Sequence, residues 1–382
     1  MARQGSLISA VLWLALLLSL AAPASAGSVN AGNLPADDDP PFLIEEITHL
    51  QQPWALAFLP DGRLLVTEKP GRLLLLDQKG RQQKIEGIPA VYHHGQNGLH
   101  HVAPAPDFEH SRLLYLSYVA PMGRGGVLTL MRARLDEAGE VPRLGQAQII
   151  WQQRQPGTGG QPGSIIAFSP DGRYLFLTVG DRMQPETAQE ADRSRGKILR
   201  MLPDGAVPPD NPQAQADGIR SLVWSTGHRN PYGLAFDADG QLWSHEMGPR
   251  GGDELNRIEA GRNYGWPLVS NGSQYSGVPI PDHDTRPDLE APRLYWTPVI
   301  APAGMVFYQG SLFPEWRGSA LIGGLMARGL VRVIFGPDDQ VSQANRWSLG
   351  ARIRDLAVAA DGSLWVIEDG AHARLLRLVP AL

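Results

Sequence analysis

The 382-residue sequence contains no cysteine. This absence excludes disulfides, thiolate nucleophiles, iron–sulfur clusters, cysteine-ligated zinc and a covalently attached c-type haem. Any metal must therefore be held by oxygen or imidazole ligands. A basic excess is also missing, because 34 Lys and Arg stand against 39 Asp and Glu, for a formal net charge of −5. That balance argues against a nucleic-acid partner, which would need a basic stripe or patch.

Long apolar runs are confined to the N-terminus. Arg3 supplies a positive charge, residues 7–22 are nearly continuously apolar, and residues 24–26 form an Ala-Ser-Ala cleavage site. This pattern predicts a signal peptide over residues 1–26, cleaved after Ala26, with an uncleaved membrane anchor as the alternative. No later run approaches the roughly 18 apolar residues of a bilayer span. We therefore expect a periplasmic or secreted mature chain without a membrane span, in which residues 27–41 form a flexible leader.

Glycine and proline are abundant, at 43 and 32 residues, which indicates many tight turns. One phrase of strand, Asp-Gly turn and strand recurs four times along the chain. Its copies are WALAFLPDGRLLVTE from Trp54, IIAFSPDGRYLFLTVGD from Ile165, YGLAFDADGQLWSHE from Tyr232 and RDLAVAADGSLWVIED from Arg354. Two weaker copies with longer turns begin at His100 and Ala303.

Six such copies, each too small to bury its own apolar face, are typical of propeller blades. The sequence therefore predicts an all-β fold, a six-bladed β-propeller with four antiparallel strands per blade, over residues 42–382. A two-domain β-sandwich is the alternative, but a sandwich does not require one phrase to recur around the chain. In a propeller, function lies where the irregular segments between phrases meet at the channel mouth.

The first two irregular segments contain candidate ligand-binding residues. Gln96 lies between two glycines that permit close approach to a ligand, although a solvated turn would have the same sequence. The histidine pairs at 93–94 and 100–101 do not predict a metal site, because adjacent strand residues point to opposite faces. Asp181 follows Gly180 at the end of a predicted strand, where its carboxylate could accept a hydrogen bond in the channel, or form part of a turn with a surface ion pair.

The third and fourth segments are richer in polar groups. Arg229 and Asn230 precede a proline that stiffens the loop, which suits an anionic, planar oxygen ligand. The stretch 248–254, GPRGGDE, combines backbone carbonyls with carboxylates, which are the ligands that Ca²⁺ prefers, but acidic glycine-rich loops also occur without a metal. Arg352 and Arg354 share one face of a strand, where burial would require a neighbouring anion.

These residues resemble a known family. GQNGL, GDR, GHRNPYGLAF, EMGPRGGDELN, NYGWP, APAGM and RIRD, in this order between about residues 53 and 379, are similar to the PQQ-dependent aldose sugar dehydrogenases of the glucose/sorbosone dehydrogenase family. Members are exported six-bladed propellers that bind pyrroloquinoline quinone (PQQ) and Ca²⁺ at the channel mouth. The resemblance implies hydride transfer from sugar C1 to the quinone, release of a lactone, and electron delivery to an external acceptor.

The resemblance also implies a role for each matching residue. Gln96, Arg229 and Asn230 would contact the quinone, and Arg352 and Arg354 would neutralise its carboxylates. The carbonyls of Gly248 and Pro249 would help to hold Ca²⁺, and Glu254 with the Tyr264 carbonyl would match a second, structural calcium. Asp181 would match an acidic residue of the pocket, and Arg229 would stabilise charge on the quinone oxygen.

The chain departs from the family pattern at the general base. Members carry a histidine where this sequence has Gln161, and an amide cannot accept a proton near neutral pH. A basic residue of the family is also replaced by Met326, for which Arg328 is a candidate substitute. With Gln161 at the catalytic position, Asp181 or a histidine among residues 93–101 becomes the candidate base.

Two other functions stay open at this stage. The chain would be a binding propeller for PQQ, calcium or sugar if the loss of histidine abolishes turnover. A calcium-dependent lactonase would instead need a carboxylate-rich metal centre. The sugar itself is not specified, because loops such as 271–289 would set the specificity.

Overall fold

The computed structural model describes residues 28–337 and 340–381, and the predicted signal peptide lies outside them. Six antiparallel sheets follow one another along the chain, and the innermost strands of neighbouring sheets contact each other all the way round. The fold prediction of an all-β six-bladed propeller is therefore confirmed. Within these residues no helix is both long and apolar enough to cross a bilayer.

Each blade has its first strand at the channel and its fourth strand at the rim. The strands of blades 1 to 3 are Pro53–Phe58, Leu64–Glu68, Arg72–Leu76 and Gln82–Ile85; Leu99–Pro104, Leu113–Met122, Gly125–Asp136 and Arg143–Gln152; and Gly163–Phe168, Leu175–Val179, Lys197–Met201 and Val223–Thr226. Those of blades 4 to 6 are Pro231–Phe236, Leu242–Glu246, Asp253–Arg257 and Leu294–Trp296; Pro302–Phe307, Ala320–Gly324, Gly329–Phe335 and Val341–Ser348; and Ile353–Val358, Leu364–Glu368, Ala373–Pro380 and Phe42–Leu50.

The remaining elements are short and lie in the connections. A two-stranded ribbon pairs Arg250–Gly251 with Gly272–Ser273. The described helices are one α-helical turn, Phe108–Ser111, and the 3₁₀ segments Pro185–Gln189, Gly218–Leu222, His283–Thr285 and Pro314–Trp316.

All six repeated phrases form the two inner strands of a blade. The glycines of the four Asp-Gly phrases have φ between +70° and +89°, which a residue with a Cβ rarely adopts; they are Gly62, Gly172, Gly240 and Gly362. Each phrase is therefore a hairpin that leaves the channel mouth and returns to it. The side chains just before its first strand and just after its second strand lie at the same end of the propeller.

The ring is closed by the two ends of the chain. Strand Phe42–Leu50 pairs with Ala373–Pro380, so that blade 6 takes its outer strand from the N-terminal side. The segment expected to be a leader also contacts the ring, because Val29–Asn30 adds a parallel strand to Leu294–Tyr295 of blade 4. The ring is thus held by sequence-distant hydrogen bonds as well as by blade packing.

The six largest hydrophobic clusters of the described residues lie one in each interface between adjacent blades. Leucine, isoleucine and valine from facing sheets fill these layers, which explains why strands such as Leu64–Glu68 and Leu364–Glu368 are buried throughout. The inner strands differ, because each has a register shift near its start. Such bulges redirect side chains, and here they lie at the channel mouth.

Phe42, at the start of the closing strand, tests how much this closure contributes to stability. Its ring packs edge-on against Trp316 and Trp347, with centroids 6.1 and 5.6 Å apart. We expect Phe42→Ala to lower the free energy of unfolding by about 3 kcal/mol, since it leaves a cavity between blades 5 and 6. Chemical denaturation checks this, with Leu43→Ala as the control, because Leu43 is 54% exposed. Equal losses for the two variants would contradict the prediction.

Candidate active site

The candidate site is a cavity of about 280 Å³ at the mouth of the channel. Its walls come from the starts of first strands and the ends of second strands in several blades. The lining residues are Trp54, Lys69, Gln96, Tyr232, Met247, Ala301, Leu325, Arg352, Arg354 and Asp369. Three of the predicted cofactor residues, Gln96, Arg352 and Arg354, thus share one cavity.

The two arginines of blade 6 share a carboxylate that the sequence analysis did not single out. Arg352 Nε donates to Asp369 Oδ2 (2.9 Å), and Arg354 donates to Asp369 Oδ1 through Nε (3.0 Å) and Nη2 (2.8 Å). The Arg354 guanidinium also lies 4.3 Å from the centroid of the Trp54 ring. Asp369 is therefore the anion that permits burial of Arg354, and it neutralises only one of the two cations.

The loop that carries Gln161 is fixed by groups from two other blades. The Gln96 side-chain oxygen accepts a hydrogen bond from the Gln161 backbone N–H (2.6 Å), and Asn230 Oδ1 accepts from the Gly163 N–H (3.3 Å). The buried Arg182 guanidinium donates to Asn97 Oδ1 (2.6 Å) and to carbonyls of the same loop. Arg182 is thus a structural clamp and not the surface ion pair that the sequence left open.

Gln161 bridges a carboxyl group and a guanidinium group. Its side-chain N–H donates to Asp181 Oδ1, and its carbonyl oxygen accepts from Arg229 Nη2 at 2.7 Å. Only 6% of Gln161 and 1% of Asp181 are exposed, so that the amide covers the carboxylate. All three predicted catalytic residues therefore form one hydrogen-bonded group.

Asp181 is buried and hydrogen-bonded on several sides. Its carboxylate accepts from the Trp266 indole N–H (2.9 Å) and from the Met183 backbone N–H (2.9 Å). Burial is the largest influence and raises the pKa of Asp181 to about 6, although Arg229 and the hydrogen bonds act in the opposite direction. A carboxyl group with that pKa is available as a base at neutral pH.

Arg229 is oriented by blade 4 and by a neighbouring loop. Its Nη1 donates to the carbonyls of Met247 (2.8 Å) and Gly248 (3.1 Å), and its Nη2 lies 3.2 Å from the Tyr275 hydroxyl. Its backbone N–H donates to the buried Glu246, which also accepts from His228 Nδ1 (2.8 Å). Tyr275 belongs to the segment 271–289, which the sequence suggested for substrate specificity.

The predicted calcium ligands are only partly available. The Gly248 carbonyl is taken by Arg229, as described, and Glu254 accepts from His283 Nε2 and Asn256 Nδ2, each at 3.1 Å. The Tyr264 ring stacks on His228, with centroids 4.8 Å apart. Among the described residues, no group of three or more His, Asp or Glu side chains is arranged to hold a metal ion.

The other residues that the sequence analysis suggested, Arg328 as a cofactor-binding cation and the histidines as bases, do not line the cavity. Met326 is 59% exposed, and Arg328 donates through Nε to the Gly350 carbonyl (3.1 Å) without lining the cavity. His93 is exposed and pairs with Gln52, whereas His100 is buried and contacts the Gln96 carbonyl through Nε2 (2.9 Å). Burial lowers the pKa of His100 to about 3.

Comparisons with known proteins identify the family of the chain. Residues 50–377 match the family model described as Glucose / Sorbosone dehydrogenase. The aldose sugar dehydrogenase YliI of Escherichia coli K12 is 38% identical over 340 residues, which cover 87% of this chain and 91% of that protein. The chain belongs to the glucose/sorbosone dehydrogenase family.

Solved structures extend this result. A crystal structure of a glucose dehydrogenase is 42% identical, with a TM-score of 0.84, over 89% of this chain and 100% of that one. The PQQ-bound aldose sugar dehydrogenase of Streptomyces coelicolor is 28% identical, with a TM-score of 0.73, over 90% of this chain and 99% of that one. The propeller of this glucose/sorbosone dehydrogenase family member is thus shared with relatives of known structure.

In this family member, sequence reasoning missed Trp54, Lys69 and Asp369 as cavity residues. Lys69 and Asp369 each directly follow the second strand of a blade. Since each phrase is a hairpin that returns to the mouth, the residue after its second strand is a site candidate by position alone. Applied to the second strands that end at Glu68 and Glu368, this rule would have selected both.

A larger cavity of about 630 Å³ lies at the rim between blades 2 and 3, and includes Trp151, Asp192 and Arg193. It contains none of the predicted site residues. Two of its four charged lining residues are already paired, since Asp192 binds Arg220 (2.8 Å) and Arg193 binds Glu190 (3.1 Å). Size alone therefore does not identify the site.

The buried Asp181 predicts a pH dependence of stability. Because its pKa is about 6 in the folded protein and near 3.8 when unfolded, the folded state binds the extra proton between these values. Stability therefore falls as pH rises from about 4 to 6, by up to about 3 kcal/mol for this group. We expect Asp181→Asn to gain stability relative to wild type between pH 4 and pH 7.

Denaturation midpoints of wild type and Asp181→Asn, each measured at pH 4 and at pH 7, check this gain in stability. Any pH-independent cost of the substitution, such as an altered contact with Trp266, cancels in the comparison. A stability difference that is the same at both pH values would contradict the prediction.

Proposed function

We propose that the chain is an exported quinoprotein that oxidises an aldose at C1 to the lactone, with PQQ as the hydride acceptor. One observation carries this proposal. A positively charged cavity and the hydrogen-bonded group of Gln161, Asp181 and Arg229 lie at the same mouth of the channel. The names of the aldose sugar dehydrogenase relatives and the PQQ-bound structure support it.

The cavity suits a polyanionic cofactor. Lys69, Arg352 and Arg354 face it together with the single carboxylate of Asp369, which leaves an excess of two positive charges. PQQ carries three carboxyl groups, and carboxylates bind guanidinium and ammonium groups through charge-assisted hydrogen bonds. Trp54 and Tyr232 provide flat apolar walls. Gln96, Arg229 and Asn230 are the candidates for contacts with the quinone.

When bound, PQQ would supply an electron-deficient carbonyl that accepts the hydride from sugar C1. Arg229 would stabilise the negative charge on that oxygen, since its guanidinium is already oriented by the carbonyls of Met247 and Gly248. The proton of the sugar hydroxyl must pass to a base. An external acceptor would have to take up both electrons, since a chain without cysteine has no means of attaching a c-type haem as an internal one.

We assign the base to Asp181. Gln161 cannot accept the proton, but its amide holds the position next to the carboxylate that a sugar hydroxyl would occupy. A substrate that displaces this amide would place its hydroxyl on Asp181, whose pKa of about 6 suits proton abstraction at neutral pH. His100 does not suit this role because its Nε2 is engaged with the Gln96 carbonyl.

Purified chain loaded with PQQ and Ca²⁺ and supplied with aldoses and a redox dye tests the assignment. We expect turnover, and kcat/KM that rises with pH around an apparent pKa near 6. Asp181→Asn should lower kcat by about 10²- to 10⁴-fold, the usual effect of losing a positioned base. Wild-type PQQ affinity in the variant would show that the loss is chemical, whereas unchanged turnover would refute the role of Asp181.

A binding propeller without turnover is the second candidate, and it is favoured by the amide at position 161. Gln161→His separates the two functions. Residue 161 has φ of +55°, which histidine tolerates better than most residues, so the variant should fold. If wild type binds PQQ without turnover and Gln161→His acquires it, the chain is a binding protein. Hydrolysis of a lactone in Ca²⁺ without PQQ would instead favour a lactonase.

For calcium, we propose binding at Gly248 and Pro249 only together with PQQ. Ca²⁺ takes six to eight oxygen ligands, and two carbonyls, one of them shared with Arg229, are too few alone. A second calcium at Glu254 and the Tyr264 carbonyl would have to displace His283 from the carboxylate.

Calorimetric titration tests this dependence. We expect Ca²⁺ to lower the Kd for PQQ at least 10-fold, and Mg²⁺, which demands a smaller octahedral site, to do so less. The chain without PQQ should bind Ca²⁺ only weakly. Tight Ca²⁺ binding in the absence of PQQ would contradict the proposed dependence, and its loss in Glu254→Gln would locate the ion at the second position.

A further inference from the structure

Lys69 occupies a defined place in the candidate site. It directly follows the second strand of blade 1, Leu64–Glu68, and its carbonyl accepts a hydrogen bond from the Leu99 N–H (2.9 Å). This backbone contact ties it to the start of blade 2. Its side chain lines the same cavity as Gln96, Arg352 and Arg354. The position is therefore set by the packing of two blades and not by a free loop.

The ammonium group of Lys69 forms no salt bridge with an acidic side chain of the described residues. Its Nζ donates to the Gly95 carbonyl (3.1 Å) and lies 5.8 Å from the centroid of the Trp54 ring. The nearest acid in the cavity, Asp369, is already shared by Arg352 and Arg354 through both of its oxygens. Burial, followed by the charge of Arg354, lowers the pKa of Lys69, while the charge of Asp369 acts in the opposite direction without reversing the shift. The cavity thus holds a cation whose charge is not balanced internally.

A neutral side chain would serve a purely structural role at this position equally well. The hydrogen bond to Gly95 needs only an N–H donor, and the contact with Trp54 needs only the aliphatic stem. A positive charge placed half-buried beside two arginines costs free energy unless a ligand supplies negative charge. The arrangement therefore points to an anion bound between blade 1 and blade 6.

We propose that Lys69 binds a carboxylate of the cofactor and completes, with Arg352 and Arg354, a three-cation cradle for a tricarboxylate ligand. This inference rests on the proposed function and adds a residue from blade 1 to it. Arg328, the substitute suggested by the sequence, is directed at the Gly350 carbonyl and does not line the cavity. Blades 1 and 6 would thus hold the carboxylates, and blades 3 and 4 the reacting end.

The test measures PQQ binding directly, by equilibrium titration of the full chain with PQQ and Ca²⁺ at low and high salt. Lys69→Gln keeps a donor for Gly95 but removes the charge, and we expect its Kd to rise by about 10- to 100-fold at low salt. The salt dependence of binding should become shallower, since one ionic contact is lost. Lys69→Arg, which keeps the charge, should stay within a few-fold of wild type.

Lys79→Gln is the matched control, because Lys79 lies exposed in the outer turn of the same blade. It should leave both Kd and salt dependence unchanged. Equal affinity and equal salt dependence for wild type and Lys69→Gln would overturn the inference while the proposed function stands. The same holds if Arg328→Gln, and not Lys69→Gln, weakens binding. A wild-type chain that does not bind PQQ would overturn both the inference and the proposed cofactor.

If Lys69→Gln fails to fold, two other measurements test the ionic contact: the PQQ affinity of Lys69→Arg and the salt dependence of PQQ binding by wild type. Retained affinity in Lys69→Arg and a steep salt dependence in wild type support the ionic contact. Salt-independent binding by wild type would exclude it.

Discussion

Closure of the ring by the pairing of Phe42–Leu50 with Ala373–Pro380 is the constraint on which the site depends. The blades pack only against their neighbours, so an open ring would leave two blade faces exposed to water. The cation cradle spans that junction, because Lys69 and Trp54 belong to blade 1 and Arg352, Arg354 and Asp369 to blade 6. Separation of these two blades would therefore dismantle the cavity.

Within the closed ring, the hairpin geometry of the blades brings the polar side chains of the site together. The inner hairpin of each blade starts at the channel mouth, turns at the far end and returns. The residues just before its first strand and just after its second strand therefore both lie at the mouth. Blade 3 contributes Gln161 and Asp181 in this way, and blade 4 contributes Arg229 and Met247. The bulges at the start of the inner strands then redirect these side chains. The grouping of polar side chains at the mouth thus follows from repetition of one hairpin.

Charge is distributed unevenly across the mouth. The cradle between blades 6 and 1 has more cations than anions, whereas the group in blades 3 and 4 balances Asp181 against Arg229 through the Gln161 amide. A ligand with carboxylates at one end and an electron-accepting carbonyl at the other would match both halves. The Gln161 side chain contacts Asp181 and Arg229 in the second half, so a substitution at this position leaves the charges of the first half unchanged.

Much of this was determined by the sequence. The recurring Asp-Gly phrases predicted the six blades, because alternation and turn residues are local properties that hold wherever the strands lie. The family motifs also predicted that Gln96, Arg229 and Arg354 contact one ligand, and Gln96 and Arg354 line one cavity. Other features depend on distance in space. Only the tertiary structure decided that Asp369 pairs with both arginines, that Lys69 has no such partner, and that Gln161 covers Asp181. Burial and pairing depend on which side chains the folded blades bring together in space, and no local pattern records them.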